Sequence, residues 1–549
     1  MTTRQHPTVQ AQIGLPLGEN AKRSRACGRI GAGPQSLPQH GTGLVADFDG
    51  CRLDGKPLTS LEDWQRVVAD NRLADVHGAF CVAWRDSDSV LNLARDHIGE
   101  RTCFYAVTPN GLVFASSLRA LLATGLVPRK LIVRAVAAYL SYAYLPGRET
   151  LVEGVFEVLP GERVSFGPTG LRREQFWELP AFEINTAPEE EQTRQLRRVL
   201  EGAVRDRLPA SDEPVGVTLS GGVDSSLVVA LACRLHTAPV YTYSVSFGAG
   251  YANELPFSSL VADHCGTNHR VVELSPAVVL HYIDDSVGTL GDPIGDPLTV
   301  PNSLLFRAAS EHVGVVLNGE GGDPCFGGPK NLPMVLSELY TSAGDRSREA
   351  SYLRAHLKCY DDLPDLLSDV GRDALAAAPL TDELTALLRD PQRPDYVARL
   401  QAINIRLKGG HHILPKIDAL SFPFGVLARS PLFARSVVEM SLSIPAKLKL
   451  HGSVEKYLLK RSVDELLPRS VLDRPKSGML VPVEGWFHGP LIKAARERVL
   501  DGLQPYNLFN RDYLERLLAG KLGGLRPRHG AKIWLFVTLE AWLRRVLNG

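Results

Sequence analysis

The amino-acid sequence predicts an α/β protein of two domains: a sheet domain rich in hairpins, then a doubly wound parallel-sheet domain that ends in a helical part. Three observations support this prediction. Short β-like runs separated by turn residues occupy residues 76–117. From residue 215 onward, strand-like and helix-like segments alternate. The chain has 549 residues, more than one hydrophobic core usually serves.

Composition and charge exclude several functional classes. Lys plus Arg and Asp plus Glu number 61 each, so the net charge favours neither nucleic acid nor a membrane surface as a partner. No apolar stretch approaches the roughly 18 residues that a membrane-spanning helix needs, and residues 1–25 lack the apolar segment of a secretory signal. The eight cysteines form no C-x-x-C pair or Cys/His cluster, which argues against zinc and disulfides. We expect a cytoplasmic protein.

The first domain is predicted to span residues 1–185, with residues 1–40 poorly ordered. Its strand candidates are G-A-F-C-V-A-W, V-L-N-L-A-R-D, C-F-Y-A-V and L-V-F-A-S-S. A helix is expected near 131–144, and more strands near 151–177. The Pro- and Glu-rich residues 178–191 are interpreted as the linker.

The second domain is predicted to span residues 186–549. It opens with an amphipathic helix at 189–204 and continues with the strand candidates P-V-G-V-T-L, P-V-Y-T-Y-S-V-S-F, H-R-V-V-E-L and V-G-V-V-L-N, each followed by a helix. The remainder is predicted to be mostly helical. Its final apolar stripe is interpreted as core and not as a partner-binding face; the stripe consists of Trp534, Leu535, Leu539, Trp542 and Val546.

The segment V-G-V-T-L-S-G-G-V-D-S-S-L at 215–227 leads from a strand through two glycines into a helix. Gly221 and Gly222 allow a tight turn whose backbone amides can hold an anion, and a helix N-terminus favours phosphate. Asp224 would repel bare phosphate, which indicates a divalent cation between them. No G-K-[ST] follows, so this is not a Walker P-loop. A glycine turn with Asp and Ser as helix caps is the alternative.

A second glycine-rich segment, V-V-L-N-G-E-G-G-D-P-C-F-G-G at 315–328, also follows an apolar strand candidate. It carries two acids, Glu320 and Asp323. In a doubly wound sheet, loops at the carboxyl ends of strands face one crevice. Two acids on separate loops could then share magnesium over a pyrophosphate, although another plain glycine turn is the alternative.

With these two loops, the sequence resembles the asparagine synthetase superfamily, which includes β-lactam synthetases and lasso-peptide cyclases. The resemblance covers the chain from about residue 76 onward. It rests on G-A-F-C-V-A-W-R-D, L-N-L-A-R-D-H-I-G-E-R, F-A-S-S-L-R-A-L, L-P-G-E, K-I-D-A-L-S-F-P-F-G-V-L-A-R-S-P-L-F, E-K-Y-L-L-K-R and D-R-P-K-S-G. It implies a degenerate Ntn-hydrolase-like, glutaminase-like first domain. The second domain would be an ATP-pyrophosphatase, or adenine nucleotide α-hydrolase-like, domain.

The resemblance also implies ATP and Mg²⁺ as cofactors and assigns roles to residues. Glu320 would orient or deprotonate the attacking amine. Lys476 would neutralise charge on the adenylate and the leaving pyrophosphate, and Lys456 matches an earlier lysine on the phosphate side. Asp224 and Asp323 would be the metal ligands. The residues implied to bind ATP or pyrophosphate are Leu219, Ser220, Gly221, Gly222, Asp224, Ser225, Ser226, Gly319 and Gly321.

The sequence departs from the family pattern at its start. Glutamine-hydrolysing members begin with a catalytic cysteine, whose amino group activates its own thiol, whereas this chain begins M-T-T-R-Q. A-C-G-R-I-G-A at 26–32 echoes the family start, but Cys27 lies too close to the G-A-F motif to leave room for the glutamine-binding elements. We therefore expect a relict scaffold without glutaminase activity; processing that exposes Cys27 is the alternative.

Three residues are candidates for substrate contact. His411 and His412 precede the cleft helix, where acidic and arginine residues are expected, and Asp296 precedes another helix. Ordinary half-buried histidines and a capping aspartate are the alternatives.

We expect a synthetase that adenylates a carboxylate and couples it to an amine, in a specialised-metabolite or peptide pathway, as a lasso-peptide isopeptide cyclase or a β-lactam-synthetase-like enzyme. The alternatives are an ammonia-dependent asparagine synthetase-like enzyme and a non-catalytic nucleotide-binding scaffold. The expected partner is a small molecule or peptide with a carboxylate and an amine. A leader-peptide-processing protein is a further candidate partner, and neither nucleic acid nor membrane is expected.

Overall fold

The first part of the chain forms two antiparallel sheets. The computed structural model describes the backbone of residues 27–29, and residues 43–328, 335 and 347–549 apart from 89, 110, 249, 252–253, 377–379, 394, 475–479 and 524–527. The strand orders are β1-β7-β6-β8 and β10-β9-β5-β4-β2-β3. The strands are β1 Cys27–Arg29, β2 Leu44–Leu53, β3 Lys56–Pro57, β4 His77–Arg85, β5 Leu91–Arg95, β6 Phe104–Thr108, β7 Gly111–Ala115, β8 Val155–Glu157, β9 Glu162–Gly167 and β10 Gly170–Gln175.

These sheets pack face to face because their strands carry apolar side chains on the inner face. Leu93 and Val164 from one sheet and Tyr105 and Phe114 from the other share a buried cluster. Three helices accompany them: α1 Leu61–Ala69, α2 Leu118–Ala123 and α3 Val133–Tyr142. α1 starts where Ser60 and Asp63 form a reciprocal capping box.

The second part of the chain is built on a five-stranded parallel sheet. The strand order is β13-β12-β11-β14-β15, with β11 at the centre. The strands are β11 Val215–Thr218, β12 Val240–Ser246, β13 Asn268–Glu273, β14 Val315–Leu317 and β15 Leu427–Arg429. The helices around it are α4 Glu189–Arg205, α5 Val223–Leu235, α6 Leu255–Cys265, α7 Pro276–Gly288, α8 Thr299–Ala309 and α9 Gly322–Phe326.

The rest of the chain is mostly helical, apart from β15 and a small hairpin of β16 Leu450–His451 and β17 Val454–Glu455. Its α-helices are Arg348–Ala355, Leu363–Leu366, Asp369–Ala376, Asp382–Leu388, Tyr396–Ile403, Leu414–Ser421, Arg435–Ser443, Ala446–Lys449, Tyr457–Ser462, Arg469–Leu472, Val483–Phe487, Ile492–Arg496, Arg511–Leu518 and His529–Trp542. Segments with π-helical hydrogen bonding are Asn404–Ile413, Glu497–Gly502 and Leu543–Leu547.

The predicted α/β class and the order of its sheets are confirmed. The last helix is core, as predicted, because its apolar stripe is buried. The amphipathic helix predicted at 189–204 is observed as α4 Glu189–Arg205, and its first glutamates suit a helix N-terminus. One detail was not predicted. The short strand β15 completes the sheet through pairing with β14, which no local pattern indicates.

The boundary after residue 185 stays a prediction, and residues 1–40 lie outside the described part except for the backbone of β1. Within that part, no helix combines the length and apolar character that crossing a bilayer requires. The cysteines whose side chains are described are all free thiols, which agrees with the prediction of no disulfide framework for those residues.

The antiparallel and parallel parts share one apolar core. The cluster that contains α3 also contains α7, α8 and the helix His529–Trp542. The hydroxyl of Tyr139 in α3 donates to the carbonyl of Leu535 at 2.9 Å. Contacts of this kind hold α3 rigidly against the second part of the chain.

Two buried arginines of the L-N-L-A-R-D-H-I-G-E-R motif also join the two parts. The Arg95 guanidinium donates to Glu157 Oε1 at 2.9 Å and to the Gly410 carbonyl at 3.0 Å. Arg101 lies 3.0 Å from Asp418 Oδ1 and 3.3 Å from Asp47 Oδ1. Because these charges are almost fully buried, each needs its partner to stay in place.

We expect Arg101→Ala to destabilise the protein by about 3–5 kcal/mol, because it leaves the carboxylates of Asp47 and Asp418 buried without their cation. Chemical denaturation followed by circular dichroism measures this change. Arg66→Ala is the control, since Arg66 is 73% exposed in its side chain and pairs with Asp63 at the surface, where such a pair contributes at most about 1 kcal/mol. Equal unfolding midpoints for the two variants would contradict this role for Arg101.

Candidate active site

Two glycine-rich loops lie side by side at one edge of the parallel sheet. One follows β11 and the other follows β14. These strands are neighbours, because Gly216 pairs with Val316 and Val217 with Leu317. Both loops therefore leave the carboxyl ends of adjacent parallel strands, as the sequence predicted, and face the same crevice.

The first loop turns at Gly221, whose φ of 76° lies in the left-handed region that favours glycine. The Ser225 hydroxyl accepts a hydrogen bond from the Ser220 amide at 3.2 Å and donates to the Gly222 carbonyl at 3.2 Å. The Ser220 hydroxyl accepts from the Gly222 amide at 3.3 Å. These bonds hold the loop against the N-terminus of α5, where unpaired amides favour an anion.

The second loop contacts the first so closely that it needs glycine at the points of contact. A Cβ atom on Gly319 would lie 2.5 Å from the Ser225 amide nitrogen. A Cβ atom on Gly322 would lie 2.2 Å from the carboxylate of Asp224. Gly321 has a φ of 109° and packs against the backbone of Leu432. The missing side chains let the two acid-bearing loops meet.

Lys456 joins the acids of the two loops. Its ammonium binds the carboxylate of Asp224 and lies 2.5 Å from Asp323 Oδ1. Burial opposes the charge on Lys456, but the two carboxylates outweigh burial and hold the pKa of this lysine above its usual range. Lys456 has a left-handed backbone with φ of 54°, which a non-glycine residue adopts only where its surroundings determine it.

Asp224 and Asp323 also suit a magnesium ion whose coordination shell is completed by phosphate oxygens. Asp224 and Asp323 converge on one cationic atom, so a divalent cation at this place would meet an oxygen from each loop. No cluster of three or more His, Cys, Asp or Glu side chains that could hold a metal alone occurs among the described residues. Mg²⁺ bound by one or two carboxylates usually takes its other ligands from water and substrate phosphates.

A cavity of about 1280 Å³ opens from these loops. It exceeds the roughly 300–1,000 Å³ of a typical small-molecule site, so it has room for a nucleotide and a second substrate together. The cavity is lined by predicted site residues Leu219, Ser220, Gly222, Asp224, Ser225, Asp296, Gly319, Glu320, Gly321, Asp323, His412 and Lys456.

Among the described residues, Gly221 and Ser226 were also predicted for the site but do not line this cavity. Gly221 instead packs closely against Phe257 and Ser258. Ser226 is fully buried within α5. Lys476 lies outside the described residues, so its predicted role stays a prediction.

Glu320 is part of the cavity wall. Its backbone amide donates to Asn318 Oδ1 at 3.0 Å, which positions the residue after β14. Burial is the main cause that raises the pKa of Glu320; Asp296 and Asp323 raise it further, and Lys416 and Lys408 oppose them. A carboxylate with a raised pKa inside a cavity can accept a proton from a neighbouring group.

A cluster of three titratable residues lies near Glu320 and consists of Asp296, Lys416 and His412. Lys416 donates to Asp296, and His412 Nε2 lies 3.4 Å from the same carboxylate. Burial favours the uncharged form of Asp296, but Lys416 and His412 outweigh burial and hold its pKa well below the usual range. Burial lowers the pKa of His412 to about 4, so this ring is neutral at pH 7 while it stacks on Tyr144.

The structure separates the two adjacent histidines. His412 lines the cavity, but His411 is buried on another side, where its Nδ1 lies 2.8 Å from Glu157 Oε2. Because Glu157 also binds Arg95, His411 belongs to the contact between the two parts of the chain. His411 is therefore not a substrate contact in this geometry. Asp296 fits both roles considered for it, substrate contact and helix capping. It lines the cavity, and it accepts a hydrogen bond from the Leu298 amide at 3.0 Å just before α8.

The sequence reasoning missed four residues of the site. Arg474 donates to the Gly221 carbonyl at 3.3 Å, binds Glu254, and lies over the ring of Phe257. Lys358, Lys408 and Lys416 line the cavity. Arg474 and Lys416 occur in quoted motifs, but nothing in the spacing of the other two lysines brings them to this site.

Comparisons with known proteins agree with this geometry. The family model described as asparagine synthase matches residues 195–544, and one described as a glutamine amidotransferase domain matches residues 61–177. Asparagine synthetase [glutamine-hydrolyzing] 1 of Bacillus subtilis is 24% identical over 506 residues, which cover 87% of this chain and 79% of the relative.

Two further matches are to proteins that are not described as asparagine synthetases. The amidase chry2 of Gibberella zeae is 24% identical over 495 residues, covering 78% of this chain and 73% of the relative. The structure of an NH3-dependent NAD synthetase from Campylobacter jejuni is 13% identical and covers 41% of this chain and 95% of that chain. Its TM-score of 0.21 is too low to support an inference.

We expect Gly322→Ala to weaken Mg²⁺–ATP binding by about tenfold or more, because the added methyl group would displace the Asp224 carboxylate and lose a charge-assisted contact. Isothermal titration calorimetry measures this affinity. Gly202→Ala is the matched control: Gly202 lies inside α4, and no atom lies within 4 Å of its added Cβ. Wild-type affinity in folded Gly322→Ala would show that Asp224 does not face the nucleotide.

Proposed function

This chain belongs to the asparagine synthase family, and from that premise we propose that it adenylates a substrate carboxylate and couples it to an amine without hydrolysing glutamine. Members of this family are ATP-dependent carbon–nitrogen ligases that form AMP and pyrophosphate, and this chain is such an enzyme. The observation that carries the proposal is the meeting of Asp224 and Asp323, from two separate loops, on one cationic group inside the cavity.

The phosphate end of the cavity suits departure of pyrophosphate. A carboxylate oxygen of the substrate attacks the α-phosphorus of ATP, and the bond to the β-phosphate oxygen breaks. Ser220, Gly222 and Ser225 lie where they can hold the departing group, at the N-terminus of α5. Lys456 adds positive charge there. Magnesium held by Asp224 and Asp323 would further neutralise the phosphate oxygens.

The second step needs an amine that has lost its proton. The amine nitrogen attacks the acyl carbon of the adenylate, the amide bond forms, and AMP leaves with the electron pair of the broken acyl–oxygen bond. Glu320 interacts both with the phosphate-side acid Asp323 and with Asp296 and Lys416, and its raised pKa suits it to orient the amine and accept its proton.

The first part of the chain serves, in this proposal, as a scaffold and not as a glutaminase. Its motif residues Arg95 and Arg101 make buried contacts with the synthetase part. The R-x-x-x-x-G-x-G and N-G-E-I-Y-N-type segments of the glutamine site do not occur in the sequence. Ammonia from glutamine is then not the internal nitrogen source, and an amine must come from a substrate or from solution.

Within this reaction class we propose a role in specialised-metabolite or peptide biosynthesis, as a lasso-peptide isopeptide cyclase or a β-lactam-synthetase-like enzyme. The size of the cavity supports a substrate larger than ammonia. A peptide substrate would add a leader-peptide-processing partner. An ammonia-dependent asparagine synthetase-like enzyme is the second candidate, favoured by a glutamate at position 320.

A non-catalytic nucleotide-binding scaffold would lack turnover altogether. Retention of Asp224, Asp323 and Lys456 in mutual contact argues against it, because a buried charge cluster is costly unless its charges are used or fully paired. Isotopic exchange between pyrophosphate and ATP, measured over a panel of amino acids and peptides, separates the two. No ATP consumption with any carboxylate would favour the scaffold.

We expect Glu320→Gln to separate the two chemical steps. Pyrophosphate exchange should persist, whereas amide formation should fall by roughly 100- to 10,000-fold, the usual contribution of a general base. In the wild type, amide formation should rise with pH through a pKa above the usual glutamate range, because deprotonated Glu320 is the active form. This rise should be absent from the variant. Equal loss of both steps would assign Glu320 to nucleotide binding instead.

We expect no glutamate release when the protein is incubated with glutamine, with or without ATP and a carboxylate substrate. The physical reason is that the expected first domain lacks the elements that bind glutamine. A coupled glutamate dehydrogenase assay measures the release, and mass spectrometry of the purified N-terminus shows whether Cys27 has become the first residue. Glutamate release from a processed chain would contradict the scaffold role.

A further inference from the structure

Four cations of the described residues line the cavity near Asp296 and Glu320: Lys358, Lys408, Lys416 and Arg528. Lys416 forms an ion pair with Asp296. The Asp296 carboxylate is therefore already engaged by a cation other than Lys358.

Lys358 is a half-buried lysine at the cavity. No carboxylate of the described residues lies within 4.0 Å of its ammonium group. Asp296 attracts it from a longer distance, while Arg528 and Lys408 repel it. Burial is the main cause that lowers its pKa. A lysine in such a place gains most from an anion supplied by a ligand.

The backbone holds Lys358 in place. The next residue, Cys359, is fully buried, and its amide donates to the Leu140 carbonyl of α3 at 3.0 Å. The preceding residue, Leu357, has a left-handed φ of 52°, which costs a non-glycine residue of order 1–3 kcal/mol unless its surroundings enforce it. Lys358 is therefore presented to the cavity by a fixed segment that rests on the first part of the chain.

The charged groups indicate an order along the cavity. Glu320 interacts with Asp323 on the phosphate side and with Lys408, Lys416 and Asp296 on the other. Lys358 interacts with Asp296, Lys408 and Arg528. A substrate whose amine lies at Glu320 would thus extend its remaining groups towards Lys408 and Lys358.

We propose that the amine substrate carries an anionic group, a carboxylate or a phosphate, which Lys358 binds at the cavity wall beside Arg528. The inference rests on the proposed function, because it places the amine at Glu320. It names the nucleophile as an amino acid, a peptide terminus or an aminoalkyl phosphate, and not ammonia. Lys358 repels an ammonium ion, whereas it attracts the anionic group of such an amine.

A binding experiment tests this inference without turnover. The full chain is saturated with Mg²⁺ and α,β-methylene-ATP, and calorimetry measures its affinity for two matched sets of probes. One set pairs common L-amino acids with their carboxamides; the other pairs O-phosphoethanolamine with ethanolamine. We expect the anionic member of one set to bind at least about tenfold tighter than its neutral counterpart.

Three variants locate the effect. Lys358→Gln should remove that preference, and Lys358→Glu should reverse it towards the neutral or cationic probe. Lys493→Gln is the matched control, since Lys493 is exposed and outside the cavity; it should bind like the wild type. Loss of affinity for charged and uncharged probes alike would overturn the inference, and so would wild-type binding by folded Lys358→Gln.

Turnover then separates this inference from the proposed function. The assay uses an acid that supports pyrophosphate exchange in the wild type. Lys358→Gln should raise the KM for the anionic amine in amide formation by about tenfold. It should leave unchanged the KM for the acid that is measured by pyrophosphate exchange. A raised KM for the acid instead would place the anion on the acid and overturn the assignment. If the wild type supports no exchange but Lys358→Gln still loses the anion preference, the proposed function fails and the anion site stands.

Discussion

Parallel pairing of β11 with β14 is the constraint on which the site depends. The two strands are separated in sequence, yet their pairing places the loops that follow them within van der Waals contact. Without it, Asp224 and Asp323 would lie on separate turns with no common ligand. Because the peptide backbone of adjacent parallel strands runs in register, the position of each acid is determined to within the length of a short loop.

The same contact explains why glycine is needed where the loops meet. Gly319 and Gly322 approach Ser225 and Asp224 so closely that even a methyl group would collide. The gain is a compact arrangement of two acids around Lys456. Attraction in a partly buried site keeps this lysine protonated despite burial, so a fixed positive charge lies where pyrophosphate would leave.

The first part of the chain has structural uses that are independent of glutamine. Arg95 and Arg101 make buried contacts with Gly410 and Asp418, and α3 shares a core with the last helix. α3 also supports the backbone beside Lys358. Residues 141–144 of this part also line the cavity. In the proposed function, the sheet domain would therefore influence which substrate fits.

The sequence by itself determined the sheet classes, the two glycine-rich loops and most acids of the site, because strand periodicity and glycine turns are local features. The tertiary structure decided the rest. Only side-chain packing shows that His412 faces the cavity while His411 turns towards Glu157, since both residues have the same local sequence. Likewise, Lys358 and Lys408 reach the site through long-range packing, and β15 is a strand only because β14 offers it a partner.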